Sequence, residues 1–208
     1  MSQVGMQMQT QMQTRRIGIP SVEEKDGRRF DLFSRLLKER VVMLSGAIDD
    51  ASAAVVVGSL LFLEAESVSD PIHLYINSSG GVVTSGLSIV DTMQYVAAPV
   101  HTVCVGQASS MGSLILAAGE EGHRAALPHS RIMIHQPHAS GLGGQESDIR
   151  IQADNIQDMR STLTALYAQF TGQDLDEIHA RMERDTFFNP SQALDFGLID
   201  HILHSRDP

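Results

Sequence analysis

Short β-branched runs that alternate with helically spaced apolar segments constrain this chain more than any other feature. Residues 41–44 precede a helical pattern from Asp49 or Asp50 to about Glu66, residues 71–77 precede one from Thr84 to Val96, and residues 100–105 precede residues 114–118. Strand followed by helix, repeated along the chain, predicts a mostly parallel α/β sheet, because parallel neighbours need a crossover between them. In such sheets the loops at the carboxyl ends of the strands build the active site. Further strands are expected at residues 131–135 and 198–203, with helices at 32–38, 175–182 and from Asn189-Pro190-Ser191 to Gly197.

At 208 residues and 42% hydrophobic, the chain is long enough for one sizeable core, expected over residues 17–208. The first residues, MSQVGMQMQTQMQT, hold no apolar block of the length a signal peptide or membrane span requires. Residues 1–16 are therefore expected to be a disordered or removable leader. The formal net charge of -10, with no run of Lys or Arg beyond two, argues against nucleic-acid or anionic-membrane partners. Cys104 is the lone cysteine, which excludes an internal disulfide and fits a reducing compartment. Its place inside a strand pattern reads as a buried small hydrophobe.

The stretch Gly106-Gln107-Ala108-Ser109-Ser110-Met111-Gly112 puts hydroxyls between small residues where a strand turns into a helix. A serine there either caps the helix or serves as a nucleophile beside free backbone N–H groups. Acyl transfer by serine needs a base within hydrogen-bond reach, and His135, at the end of the next long strand, should emerge at the same sheet edge. His73 and His101 fall inside strand patterns, while His123, His129, His138, His179 and His204 fall in turns or on polar helix faces. Asp185, between the charged run from Arg181 and the apolar pair Phe187-Phe188, reads equally as an orienting carboxylate or as an ordinary ion pair with Arg184.

Ser78-Ser79-Gly80-Gly81 reads as a turn, and Gly81 and Met111 are candidate N–H donors to an oxyanion. Residues 81–88 have the glycine and serine spacing of a phosphate loop, but Leu87 stands where that loop needs Lys. No nucleotide, metal or other cofactor is expected, since neither a His-Glu-x-x-His helix nor a Cys-x-x-Cys pair occurs. Residues 145–170 form a helix long for one small sheet. It either projects to an oligomer contact or simply crosses the sheet.

Taken in order over about residues 17 to 204, the runs Leu74-Tyr75-Ile76-Asn77-Ser78-Ser79-Gly80-Gly81, Gly106 to Gly112, Met133-Ile134-His135-Gln136-Pro137 and Glu183-Arg184-Asp185 resemble the proteolytic subunits of the Clp protease family. The resemblance implies a crotonase-like α/β spiral of βα units with a projecting handle helix, at about residues 138–171. By the same resemblance Ser110, not Ser109, is the nucleophile, His135 the general base and Asp185 its orienting carboxylate, with Gly81 and Met111 as the oxyanion hole. It implies a serine endopeptidase assembled as two stacked seven-subunit rings around a chamber, with Glu183 and Arg184 in the inter-ring contact. Residues 17–30 resemble axial-pore loops. Tyr75 and Tyr95 fall where the family docks an ATP-driven AAA+ unfoldase of the ClpX, ClpA or ClpC type, although His73 replaces a common third aromatic. The implied substrates are unfolded polypeptides, ATP being spent by the partner, and the implied location is the bacterial cytoplasm or an organelle of bacterial descent.

Two positions depart from the family pattern. Ser79 stands where proline is usual before the glycine pair, which would loosen the oxyanion turn, and the 138–144 loop is one residue longer than is common. A non-catalytic ring subunit would lack members of the Ser-His-Asp set, and a crotonase acting on acyl-coenzyme A would need an acidic pair in place of Ser and His. These are the alternative readings.

Overall fold

The first elements are a short hairpin, β1 (Ser21–Glu23) and β2 (Arg29–Asp31), then α1 (Leu32–Leu37), β3 (Val41–Ile48), α2 (Asp50–Glu66), β4 (Ile72–Gly81) and α3 (Val83–Tyr95). There follow β5 (Val100–Ser109), α4 (Met111–Ala117), β6 (Arg124–Ala126), β7 (Arg131–Ile134), α5 (Glu146–Thr171), α6 (Leu175–Met182), β8 (Thr186–Phe188), α7 (Pro190–Phe196) and β9 (His201–Ile202). This computed structural model describes residues 19–139, 141 and 143–205. The expected leader over residues 1–16 lies outside the described residues, as do the first two residues of the 17–30 segment and two positions of the 138–144 loop.

Strands β3, β4, β5, β6 and β9 lie side by side in that order, all parallel. Strand β5 is long enough to take two neighbours on one edge: β6 pairs with its first half, at Thr102–Cys104, and β7 with its second, at Gln107–Ser109. Strand β8 then adds antiparallel to β7. The α/β class and mostly parallel sheet follow the expectation from sequence. What differs is length. Strands β4 and β5 run four residues past their apolar blocks, β9 is confined to two residues, and the three-residue β6 and β8 are too short to leave a periodic signal.

Strand β4 alternates with period two: Ile72, Leu74 and Ile76 have no exposed surface, while His73 and Tyr75 on the other face are half-buried. Helices α2 and α3 cover the buried side, and Leu60, Ile89 and Val90 fill the space between. Asp49 and Ser52 exchange side-chain to backbone hydrogen bonds as a capping box that starts α2. Arg40, held at φ 58, sends its guanidinium to the carbonyls of Leu63, Ser67, Asp70 and Pro71, so one side chain closes the α2–β4 connection. Arg124 does the same at the far end, where it pairs with Asp200 and donates to the carbonyls of Ala117 and Phe170.

Helix α5, with 26 residues, is about 39 Å long. Its buried residues, Leu163, Thr164 and Tyr167, all lie in the second half, whereas Ile149 and Ile151 in the first half are exposed. The helix therefore docks by its base and projects by its start, rather than crossing the sheet. Among the described residues no helix is long and apolar enough to cross a membrane.

On the sheet face bearing Tyr75, His101 stacks on His123 with ring centroids 4.0 Å apart and meets His73 edge-on at 5.4 Å. Burial, then the neighbouring His123 and His73 imidazoles, push His101 down to about 4 from the ordinary 6.5. Between those values the unfolded chain binds a proton that the folded one refuses, so stability falls as pH drops from about 6.5 toward 4. The thermal midpoint of His101→Gln should therefore fall less between pH 7 and pH 4.5 than that of the parent. An equal fall in both proteins would contradict this.

Candidate active site

Strand β7 carries the geometry of the site, because it pairs on both sides. Its parallel register with β5 sets Ser109 opposite Met133, and the Ser110 N–H donates to the Met133 carbonyl at 2.8 Å. Its antiparallel register with β8 sets Ile134 opposite Thr186, so the next pair outward is His135 and Asp185. Three residues far apart in sequence are thus delivered to one strand end. His135 Nε2 lies 2.9 Å from Ser110 Oγ, and His135 Nδ1 lies 2.9 Å from Asp185 Oδ1.

A carboxylate only accepts, so Nδ1 carries the proton toward Asp185 and Nε2 is left to accept from the Ser110 hydroxyl. That tautomer lets the imidazole take the serine proton. The ion-pair reading of Asp185 with Arg184 gives way to this contact, because the β7–β8 pairing, absent from the sequence reading, turns Asp185 toward His135. Asp185 is 58% exposed at its side chain and His135 18%, so water competes for the carboxylate end far more than for the imidazole end.

Ser110 sits between β5 and α4 at φ 55 and ψ -126, and its side chain makes no capping bond. The helix-cap reading of this serine is therefore set aside. Such a backbone costs a non-glycine residue about 1–3 kcal/mol and persists only where the surroundings over-determine it. The gain is direction: the side chain faces His135 instead of the α4 N-terminus.

Ser78-Ser79-Gly80-Gly81 is the end of β4, not a turn, with a register shift against β5 between Ile76 and Ser78. Ser79 is exposed on this strand, so the predicted loosening of a turn has no turn to act on. The two glycines are there for close approach. A Cβ on Gly80, at φ 85, would lie 2.6 Å from Ser110 Cβ, and one on Gly81 would lie 2.1 Å from the Ile48 carbonyl oxygen. The Gly80 N–H is already given to Ser78 Oγ at 3.0 Å, which leaves Gly81 as the next backbone donor along the strand. Met111 is the first residue of α4, so its N–H has no partner within the helix.

A recess of about 830 Å³ opens beside these groups, lined by His135, Gln136, Pro137, His138, Ala139, Glu183, Arg184 and Asp185. His138 meets His135 edge-on at 5.7 Å. Gln136 ties the recess to the end of α6, its N–H donating to the Met182 carbonyl at 2.7 Å and its side chain to the Glu183 carbonyl at 3.0 Å. The family model described as Clp protease matches residues 23–206. The chain belongs to the Clp protease family. A Clp-type peptidase with the α/β fold of that family follows from the match, as does an oligomeric protease working with Clp ATPases in general.

The remaining positions singled out in this Clp protease chain lie away from that hydrogen-bonded line. The Glu183 carboxylate takes Arg160 of α5 at 2.8 Å, within the same chain, and Arg184 is exposed beside it. Tyr75 is half-buried on β4, and Tyr95 ends α3 with 81% of its surface exposed. Cys104 is fully buried and pushed up to about 11, chiefly by that burial, which fits a packed thiol without chemistry. Among the described residues no group of His, Cys, Asp and Glu is placed to hold a metal ion. Sequence reasoning missed Ser113 and Tyr167, two buried hydroxyls under the Ser110 carbonyl. The available signal was a hydroxyl inside the otherwise apolar α4 pattern, which needs a buried partner.

The Ser110 backbone predicts an unusual stability ranking of two variants. Glycine adopts φ 55 without strain, which favours Ser110→Gly by about 1–3 kcal/mol, while its extra freedom when unfolded costs only about 0.5–1 kcal/mol. Ser110→Gly should accordingly unfold at a higher temperature than Ser110→Ala. The reverse order in a thermal melt would show that the backbone here is not strained.

Proposed function

We propose that this chain is the proteolytic subunit of an ATP-dependent Clp protease and a serine endopeptidase acting on unfolded polypeptides. The single observation carrying this reading is the hydrogen-bonded line Ser110–His135–Asp185, at 2.9 Å for each step. Ser110 Oγ attacks the peptide carbonyl carbon as its proton passes to His135 Nε2. The oxygen of the tetrahedral species is held by the N–H groups of Gly81 and Met111, and the imidazolium is stabilised by Asp185. His135 then gives its proton to the leaving amine, and the acyl-enzyme is hydrolysed by a water that His135 deprotonates in turn.

Assembly is read as two stacked seven-membered rings, with the exposed start of α5, at Ile149 and Ile151, and the Glu183–Arg184 edge facing a second ring. A single projecting helix with apolar residues in water supports such a contact. Tyr75 and the exposed Tyr95 are read as docking positions for an AAA+ unfoldase of the ClpX, ClpA or ClpC type. The bacterial cytoplasm is the proposed setting, and the single buried Cys104 suits a reducing compartment.

The purified full chain should hydrolyse short fluorogenic peptides and leave a folded protein intact until a Clp unfoldase and ATP are added. Ser110→Ala and His135→Ala should each lower kcat by at least about 10³-fold. Asp185→Ala should lose less, because its carboxylate is the solvent-exposed end of the line and water can take its place as the acceptor from Nδ1. Peptide hydrolysis that survives Ser110→Ala, or degradation of the folded protein without an unfoldase, would overturn the proposal.

A further inference from the structure

Beneath Ser110 lies a pair of buried hydroxyls that the proposed reaction does not itself use. Tyr167, from the base of α5, is 2% exposed, and its hydroxyl lies 3.1 Å from the Ser110 carbonyl oxygen and 2.7 Å from Ser113 Oγ. Ser113, in α4 and fully buried, has its Oγ 2.7 Å from the Ser110 carbonyl and 2.7 Å from the Met133 carbonyl. Two hydroxyls have two protons to give. Either Tyr167 donates to Ser113 and Ser113 to a carbonyl, or Ser113 donates to Tyr167 and Tyr167 to Ser110. Both arrangements hold the Ser110 carbonyl or its β7 neighbour from the buried side. Burial also pushes the Tyr167 phenol above its ordinary range, so it stays a neutral donor.

The Ser110 carbonyl is one end of a peptide unit whose other end is the Met111 N–H. Among the described residues every peptide is trans. In a trans unit the plane is rigid and the N–H points opposite to the C=O, so fixing the carbonyl from below aims the N–H away from the core. Gly80 stands beside that N–H: its Cβ, if present, would lie 3.1 Å from Met111 N. The combination of φ 55 with ψ -126 at Ser110, the second of which sets this plane, is not one a serine backbone would choose alone. Something must hold it: the backbone N–H groups of Ser113 and Leu114 donate to the same carbonyl at 2.9 and 3.2 Å as the first turn of α4, and the hydroxyl pair adds to them from the buried side.

We infer that Tyr167 and Ser113 are positioning residues that fix the Ser110–Met111 peptide plane, and so aim the oxyanion-binding N–H of Met111 from the base of the projecting helix α5. This rests on the acyl-transfer reading above. Tyr167→Phe keeps the ring and removes the oxygen; Ser113→Ala removes the other hydroxyl.

The test uses the full-length chain, a short fluorogenic peptide and a peptide aldehyde, which forms a tetrahedral adduct with serine. Tyr167→Phe should lower kcat about 5- to 20-fold with KM changed less than twofold, and weaken aldehyde inhibition by a similar factor, at temperatures well below the melting point of each variant. Ser113→Ala should act in the same direction, and the double variant should lose less than the product of the two single losses, because the hydroxyls share one carbonyl. A lowered melting temperature with unchanged kcat and aldehyde affinity would assign the pair to packing alone and overturn the inference. If Tyr167→Phe fails to fold, Ser113→Ala decides by the same two readouts. A parent chain that neither cleaves the peptide nor binds the aldehyde would instead refute the peptidase reading.

Discussion

Everything at the candidate site depends on strand β7 being paired along both edges. Four residues, Arg131–Ile134, take β5 on one side in parallel and β8 on the other in antiparallel register. The first pairing brings the strained serine, and the second brings the acid. Because register in a sheet is quantised by residue, a slip of one position would turn His135 or Asp185 to the opposite face. The buried Ile132 and Ile134 on β7 and Phe188 on β8 hold that register through the core. Packing thereby sets the geometry of the Ser110–His135–Asp185 line.

The same site also shows where conformational cost is concentrated. Ser110 holds a backbone that only glycine adopts freely, next to glycines chosen for their lack of a side chain. Gly80 and Gly81 let β4 run within contact of both Ser110 and the Ile48 backbone, so its N–H groups lie directly beside the Ser110 side chain. Rigid surroundings stabilise this arrangement: Ser110 N–H to Met133, Ser113 and Tyr167 under its carbonyl, and α4 buried along its whole length. Strain at one residue is offset by many ordinary contacts around it.

Much of this was legible in the sequence and some was not. The long βα alternation gave α2, α3, α5 and α6 nearly to the residue, because periodic apolar faces of that length have few other readings. The strand ends were misjudged where small polar residues replace apolar ones: Ser78 to Gly81 continue β4, since a strand needs only backbone to pair. Strands β6 and β8, three residues each, carry no periodicity, and without β8 nothing in the spacing links Asp185 to His135. Family resemblance supplied that link in the sequence, and the β7–β8 register supplies its geometry. The hydroxyl pair under Ser110 is long-range, 54 residues apart, so the local pattern marks Ser113 as a hydroxyl among apolar residues but does not name Tyr167 as its partner.

The central claim is that a distant imidazole, delivered by β7, makes one particular hydroxyl of this chain nucleophilic. Covalent labelling of the intact protein with a fluorophosphonate, with the modified residue located by peptide mass spectrometry, tests it most directly. The account predicts a single phosphonylated residue, Ser110, and loss of that label in His135→Ala. An adduct on Ser109 or another serine, or labelling of Ser110 that is indifferent to His135, would contradict it.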